Sequence, residues 1–380
     1  MTQNKEIHLA RGLKDIYIDR SQASDVDGTN GVLIYRGYDI HELAEMSTFE
    51  EVVYLLLYGK LPTKSELAAI DRTLKSERQI PQEIYKVIEI TKAAHPMDVL
   101  RTAVSALAAF DPEVSDNSPE ATIRKGIRIT AKAPTIVTAH DRIRKGKKPV
   151  APSNDLSHAG NFLYMLHDKK PTADEAKIMD VDFVLHAEHG SNASAFAARV
   201  TASTLADLHG AITTGIGTLK GPLHGGAAEA VMKMAEEVGQ PENAATYARK
   251  HLDSGGRIMG FGHRVYKVED PRARHLRERS KTLGEQKGEP KWFQILQSMV
   301  GAMSPYQRRG IYVNVDFYAG SIYYLLCVPE DIFIPIFALG RIPGWTVQVV
   351  EQFKDNILLR PLLQYTGPRD LKYVPIEQRG

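Results

Sequence analysis

An almost wholly α-helical chain with one small N-terminal β-hairpin is the fold class this sequence predicts, and three observations predict it. Capping boxes at Ser47-x-x-Glu50, Thr63-x-x-Glu66 and Thr172-x-x-Glu175 each open a run of apolar residues at helical spacing. Glycine and proline punctuate the chain between such runs. The only convincing β signal lies before residue 36. A length of 380 residues can bury a sizeable core and favours two domains over one. No repeat or low-complexity tract interrupts it.

In chain order, Asp15-Ile16-Tyr17-Ile18 and Val32-Leu33-Ile34-Tyr35 are the expected strands, flanking a stretch rich in turn formers, Asp25 to Gly31. A helix over Phe49 to Tyr58 is stopped by Gly59 and Pro62, and Pro81 starts another that reaches about Lys92. Asp98 is read as the cap of Val99 to Phe110, a helix with so few charges that burial on most sides is expected. A long helix runs from Pro119 to about Arg144. Its basic end, Arg142 to Lys148, complements a helix dipole in solvent. Asp155 to Leu166 is helical, and the helix after Thr172 runs into His186-Ala187-Glu188-His189. Ser194 to Leu219, rich in small residues, reads as one central helix. Helices over Glu229 to Val238 and Ala244 to Leu252 precede a glycine cluster, Gly255 to Tyr266. A basic helix from Pro271 to near Gly288, then Trp292 to Met303, extended Val313 to Asp316, and Phe317 to Leu326 follow. Ile332 to Leu339 and Pro343 to Phe353 complete the helices, and Tyr373 to Gly380 is a tail. Residues 221–324 are richer in glycine, arginine and lysine. They are expected to form a smaller domain inserted between 1–220 and 325–380.

Composition excludes several classes. Apolar and charged fractions of 43% and 25% are ordinary for a globular protein, and a net charge of +2 offers no global field for nucleic acid or an anionic membrane. The single cysteine, Cys327, rules out an intramolecular disulfide and a cysteine-based zinc site. The start, Met1 to Glu6, lacks a signal peptide's apolar core, and the most apolar tract, Ile332 to Leu339, is interrupted by Pro335 and too short to span a bilayer. A cytoplasmic protein without nucleic-acid or membrane partners is expected.

Five features compete for the chemistry. In Gly221-Pro222-Leu223-His224-Gly225-Gly226-Ala227-Ala228-Glu229, a histidine precedes a helix whose positive end disfavours imidazolium, and the glycines admit another molecule close to the backbone. A solvated turn would look the same. In His186-Ala187-Glu188-His189 the histidines share a helix face, but a zincin requires H-E-x-x-H, so a metal pair is disfavoured. Gly260-Phe261-Gly262-His263-Arg264 follows no strand and so fails as a Rossmann fingerprint; it suits a loop approached by a ligand, or a plain linker. Arg257 to Lys281 carries eight basic residues against Glu269, Asp270 and Glu278, a net +5 suited to a small polyanion. Last, Asp316 stands before a helix, where an N-cap is the ordinary role. Together, one carboxylate and several histidines make an acid–base set for an anionic substrate, the carboxylate taking a proton while a neutral imidazole donates to oxyanion charge. The reaction is not fixed by these residues.

At these residues the chain closely resembles the citrate synthase family. The matching stretches are Gly221 to Ala227, Gly260 to Tyr266, Asp270-Pro271-Arg272 and Asn314-Val315-Asp316. They also include His186 to His189, Tyr35-Arg36-Gly37-Tyr38 and His95 to Arg101. They keep the family order and cover nearly the whole chain; Ala228 stands where many members have asparagine. The wording is similar to that of the short dimeric bacterial and archaeal branch. The resemblance implies a two-domain, all-α homodimer whose large domain makes the subunit interface and whose small domain closes on the substrates, excluding water. It implies condensation of acetyl-CoA with oxaloacetate and hydrolysis of the thioester, with no cofactor and no metal, the CoA thioester being a substrate. By the same resemblance Asp316 takes the methyl proton, His224 holds the thioester oxygen, and His263 polarises the ketone and protonates the alkoxide. His189, Arg272 and Arg341 would bind oxaloacetate, with Arg360 contributed to the partner's site. Arg257, Ile258, Gly260, Gly262, Arg264 and Lys267 would cradle CoA. His186 is expected to support structure near His189. A 2-methylcitrate synthase, using propionyl-CoA, shares these motifs, since one methylene is worth only about 1–3 kcal/mol of discrimination.

Overall fold

The structure, a computed structural model, describes residues 9–13 and 16–380. The opening Met1 to Glu6 and Asp15 lie outside the described residues. Ile16 to Ile18 is not a strand. The first strand instead overlaps the stretch read as a turn: β1 (Ser24–Asp27) pairs antiparallel with β2 (Val32–Tyr35), from Ser24 opposite Tyr35 to Asp27 opposite Val32. Asp27 explains the difference. Its carboxylate accepts from the amides of Thr29 and Asn30, both at 2.9 Å, so the turn closes after residue 27 and the residues before it are free to extend. Arg36 and Gly37, both at positive φ, then turn the chain into β3 (Tyr38–Asp39), a third strand on the same sheet.

Helices make up the remaining regular structure. They are α1 (Ile40–Met46), α2 (Phe49–Tyr58), α3 (Lys64–Ser76), α4 (Gln82–Thr91), α5 (Pro96–Leu107), α6 (Pro119–Arg144), α7 (His158–His167) and α8 (Ala173–His186). There follow α9 (Ala193–Ser203), α10 (Leu208–Leu219), α11 (Ala227–Val238), α12 (Ala244–Asp253), α13 (Ala273–Gln286), α14 (Lys291–Met303), α15 (Asp316–Leu325) and α16 (Phe333–Lys354). The boxes at Thr63/Glu66 and Thr172/Glu175 close as expected, with reciprocal side-chain bonds. The first box is shifted by one residue to Thr48/Glu51; Ser47 bonds back to Leu43, and the buried Glu50 carboxylate receives the amide of His158.

Other differences have local causes. The α5 cap is the His95 ring, which accepts from the amide of Met97, while Asp98 pairs with Lys220 and Arg101. Ser157 caps α7, so that helix starts at His158 rather than Asp155. The central helix breaks into α9 and α10 because Leu205 takes a left-handed φ of 64° and Asp207 caps a new start. Conversely, α16 runs unbroken for 22 residues through Pro343. It packs against α6, α8, α9 and α10, and that packing outweighs the bond a proline removes. By length and composition α16 could cross a membrane, but it is wholly buried within the protein. The basic end of α6 is tied down: Arg142 bonds Asp168 and the Lys148 carbonyl, and Arg144 bonds Asp141 and Asp331. α11 to α15 pack mainly on one another.

Candidate active site

Asp316 opens α15, where burial pushes its carboxyl up to about 6, with the nearby charges of His186 and Arg272 acting the other way. The capping role falls to Asn314, whose side-chain oxygen accepts the Asp316 amide at 3.1 Å. Among the described residues the Asp316 carboxylate has no hydrogen-bond partner. Asn314 also fastens the glycine loop: its amide nitrogens reach the Gly262 and Gly260 carbonyls, beside an isolated bridge between Phe261 and Val313. Gly260, at φ +77°, is required there, since a Cβ would meet Phe317 and Val231 within 2.7 Å.

His224 lies before α11, packed at 6.4 Å from the Phe337 ring. Its pKa falls to about 4, through burial first and the Arg341 charge second; the helix terminus is not what neutralises it. The Ser194 amide donates to His224 Nε2 at 3.3 Å, beside the Ser194 hydroxyl at 2.9 Å. An amide can only donate, so Nε2 is the acceptor and the ring proton sits on Nδ1. The close approach that Gly225 permits is to the chain itself: a Cβ there would meet the Leu219 carbonyl oxygen at 2.5 Å.

His263 shows the same arrangement in mirror sense. Its Nδ1 accepts from the amides of Val265 and Tyr266, at 3.0 and 3.1 Å, which leaves Nε2–H as the donor. Burial lowers its pKa to about 4. His189, beyond the end of α8, is buried 5.2 Å from His263 by ring centroids. Burial first, then the charges of Arg272 and Arg341, holds it neutral. His186 is built into the core, its Nδ1 2.9 Å from the Asp182 carbonyl and its ring on Phe337.

Two arginines complete the cluster. Arg272 is buried and forked onto Asp270 through Nε at 2.9 Å and Nη2 at 2.7 Å, which leaves its other edge uncommitted. Burial alone would weaken its charge; Asp270 more than restores it. Arg341, inside α16, donates Nε to the His186 carbonyl and lies 4.8 Å over the Phe337 ring. Burial lowers its pKa to about 10, and its Nη2 is buried without a partner. One open guanidinium edge, one unpartnered guanidinium nitrogen and three neutral imidazoles suit a small dicarboxylate with a polar carbonyl.

A family model, citrate synthase C-terminal domain, matches residues 12–362. The citrate synthase of Deinococcus radiodurans is 46% identical over 377 residues, covering 98% of this chain and 99% of its own. The chain belongs to the citrate synthase family. Membership makes it an enzyme, a transferase that forms citrate. The crystal structure of Pyrobaculum aerophilum citrate synthase superposes with a TM-score of 0.93 at 41% identity, covering 98% of this chain and 95% of that one. The Thermoplasma acidophilum citrate synthase, solved with carboxymethyl coenzyme A and oxaloacetate, gives a TM-score of 0.93 at 31% identity, covering 98% of this chain and all of that one. The 2-methylcitrate synthase 1 of Corynebacterium glutamicum is 40% identical over 98% of each chain, against 46% for the Deinococcus citrate synthase.

The remaining residues expected from citrate synthases are placed unevenly. Arg257, Arg264 and Lys267 are exposed on the glycine loop, where the Lys267 amide bonds the Gly28 carbonyl. Gly262 has open space about its Cα, but the Ile258 side chain is buried in the core, so only its backbone is free to meet a ligand. Arg360 is exposed after α16, away from the cluster's hydrogen bonds. A cleft of about 840 Å³ lies elsewhere, lined by Lys233, Lys287, Glu289, Tyr324, Cys327 and Glu330; it holds none of these residues. Neutral donors and buried cations converge instead at the histidines, which makes that cluster the candidate site. Among the described residues, no group of three or more His, Cys, Asp or Glu side chains is placed to hold a metal. Sequence reasoning did not single out Ser194, Asp270, Tyr266 or Phe337. Of these, Tyr266 and Asp270 lay in stretches that carry the family resemblance without being given a role, and Asp270 also stands two residues from Arg272.

Proposed function

We propose that this citrate synthase condenses acetyl-CoA with oxaloacetate through an enol or enolate, and that Asp316, His224 and His263 carry the chemistry. The supporting observation is the pair of pinned tautomers: two neutral histidines, each with one nitrogen held as acceptor by a backbone amide, are each left with one N–H to donate. Asp316 removes a proton from the acetyl methyl group, and Nδ1–H of His224 stabilises the charge that develops on the thioester oxygen. The new carbon–carbon bond forms at the ketone carbon of oxaloacetate. Nε2–H of His263 polarises that ketone and supplies the alkoxide proton. Water then cleaves the thioester, so acetyl-CoA, oxaloacetate and water give citrate and CoA. His189, Arg272 and Arg341 hold oxaloacetate, and the loop bearing Arg257, Ile258, Gly260, Gly262, Arg264 and Lys267 holds CoA. Neutral donors and paired cations do the electrophilic work, so the reading calls for no cofactor or metal.

The same reading divides the chain into a large domain, 1–220 with 325–380, and a small domain, 221–324, that closes over the substrates. It makes the enzyme a cytoplasmic homodimer in which Arg360 enters the partner's site. The exposed apolar residues after α16, among them Ile357, Leu362, Leu363 and Tyr373, support such an arm, since they are uncovered in the single chain. The test is release of CoA thiol with oxaloacetate, comparing acetyl-CoA and propionyl-CoA by kcat/KM. An acetyl preference upholds the proposal. A propionyl preference makes the chain a 2-methylcitrate synthase with the same residues in the same roles, and no release from either overturns the catalytic assignment.

A further inference from the structure

His224 and His263 each have a ring nitrogen fixed as acceptor by backbone amides. His189 has no such amide. Its Nε2 lies 3.1 Å from the hydroxyl of Tyr266, a side chain 1% exposed. The Tyr266 ring contacts two of the site's histidines, with centroids 5.5 Å from His189 and 4.7 Å from His263. Among the described residues the Tyr266 oxygen has no other hydrogen-bond partner.

That single contact decides the direction of the bond. If His189 carried its proton on Nε2, the imidazole would donate to the phenol and the phenol's own proton would be buried without an acceptor. If the phenol donates, both groups are satisfied and the imidazole proton is left on Nδ1. We propose that Tyr266 is a positioning residue for oxaloacetate binding, fixing His189 as an Nδ1–H donor. The inference rests on the reading of His189 as an oxaloacetate ligand. Burial raises the phenol's pKa above its ordinary value, so it stays a donor throughout the working range, and His189 stays neutral beside Arg272 and Arg341. Tyr266 thereby sets two tautomers: its amide pins His263 and its hydroxyl pins His189. Only the second depends on its side chain.

Tyr266→Phe separates the two, since it removes one oxygen and keeps the ring and the amide. KM for oxaloacetate should rise roughly tenfold while kcat changes by less than about threefold, as expected for a contact made alike in ground and transition states. His189→Gln should raise the same KM by itself, and Tyr266→Phe should add nothing in that background. Nitrogen NMR of histidine-labelled enzyme should show His189 as the Nδ1–H tautomer, becoming a mixture in Tyr266→Phe. An unchanged KM in Tyr266→Phe, an equal rise in the His189→Gln background, or an unchanged tautomer overturns the proposal. An unchanged KM in His189→Gln alone overturns instead the role of His189 on which it rests.

Discussion

Removing the charge of Asp316 should stabilise the protein while abolishing its activity. Burial holds this carboxyl near 6 rather than 3.8, so ionising it in place opposes folding. The native state keeps its proton to higher pH than the unfolded chain does. Stability is therefore highest below the unfolded value and falls as pH rises through the folded one. At 1.36 kcal/mol per pH unit of displacement, the full cost is about 3 kcal/mol. Asp316→Asn is nearly isosteric and cannot ionise. Its stability advantage over the parent, taken from urea midpoints, should be under about 1 kcal/mol at pH 4 and approach about 3 kcal/mol at pH 8. Activity of the parent should move oppositely, with kcat/KM falling roughly tenfold per pH unit below about 6, because His224 and His263 titrate lower and do not share that limb. An Asp316→Asn variant no more stable than the parent at pH 8, or an advantage equal at pH 4 and pH 8, refutes the desolvation argument.

Asp270→Asn strips the buried Arg272 of its counter-charge and should cost about 3–5 kcal/mol in urea denaturation; a loss under about 1 kcal/mol would show that Arg272 needs no partner. Arg341→Lys loses the Nε bond to His186 and the planar fork, and should raise KM for oxaloacetate roughly 10- to 100-fold. Arg360→Ala and Asp316→Asn should each be inactive alone. Refolded together they should recover about a quarter of wild-type activity, since half the dimers would be mixed with one intact site each. No recovery would place Arg360 in its own subunit's site.

Where structure is decided locally, the sequence was legible. The bounds of α6 and α8 follow from Pro119 and from the Thr172/Glu175 box. The break at Leu205 was not, because nothing in a run of small residues marks a left-handed residue, and the continuity of α16 through Pro343 depends on neighbouring helices. The site divides the same way. His224, His263, His189 and Asp316 stand in recognisable stretches, yet what tunes them is distant in the chain: Ser194 is 30 residues from His224, and Tyr266 is 77 from His189. Asp316 looked like a cap because it stands at the start of a helix, but it is the first residue of α15 and its own amide is capped by Asn314.

The N-terminal sheet has a consequence for how the chain is made. Gln22 bonds Glu351 across 329 residues, Ser24 bonds Glu188 across 164, and His41 meets His275 across 234, at 2.7 Å. A ribosome adding about 5–20 residues each second exposes this segment for roughly 15–65 s before its last partner exists. A segment that emerges well before its partners is therefore among the last to dock. Newborn chains carry this segment undocked through most of translation, and that interval is when a chaperone would matter most to the yield of folded enzyme.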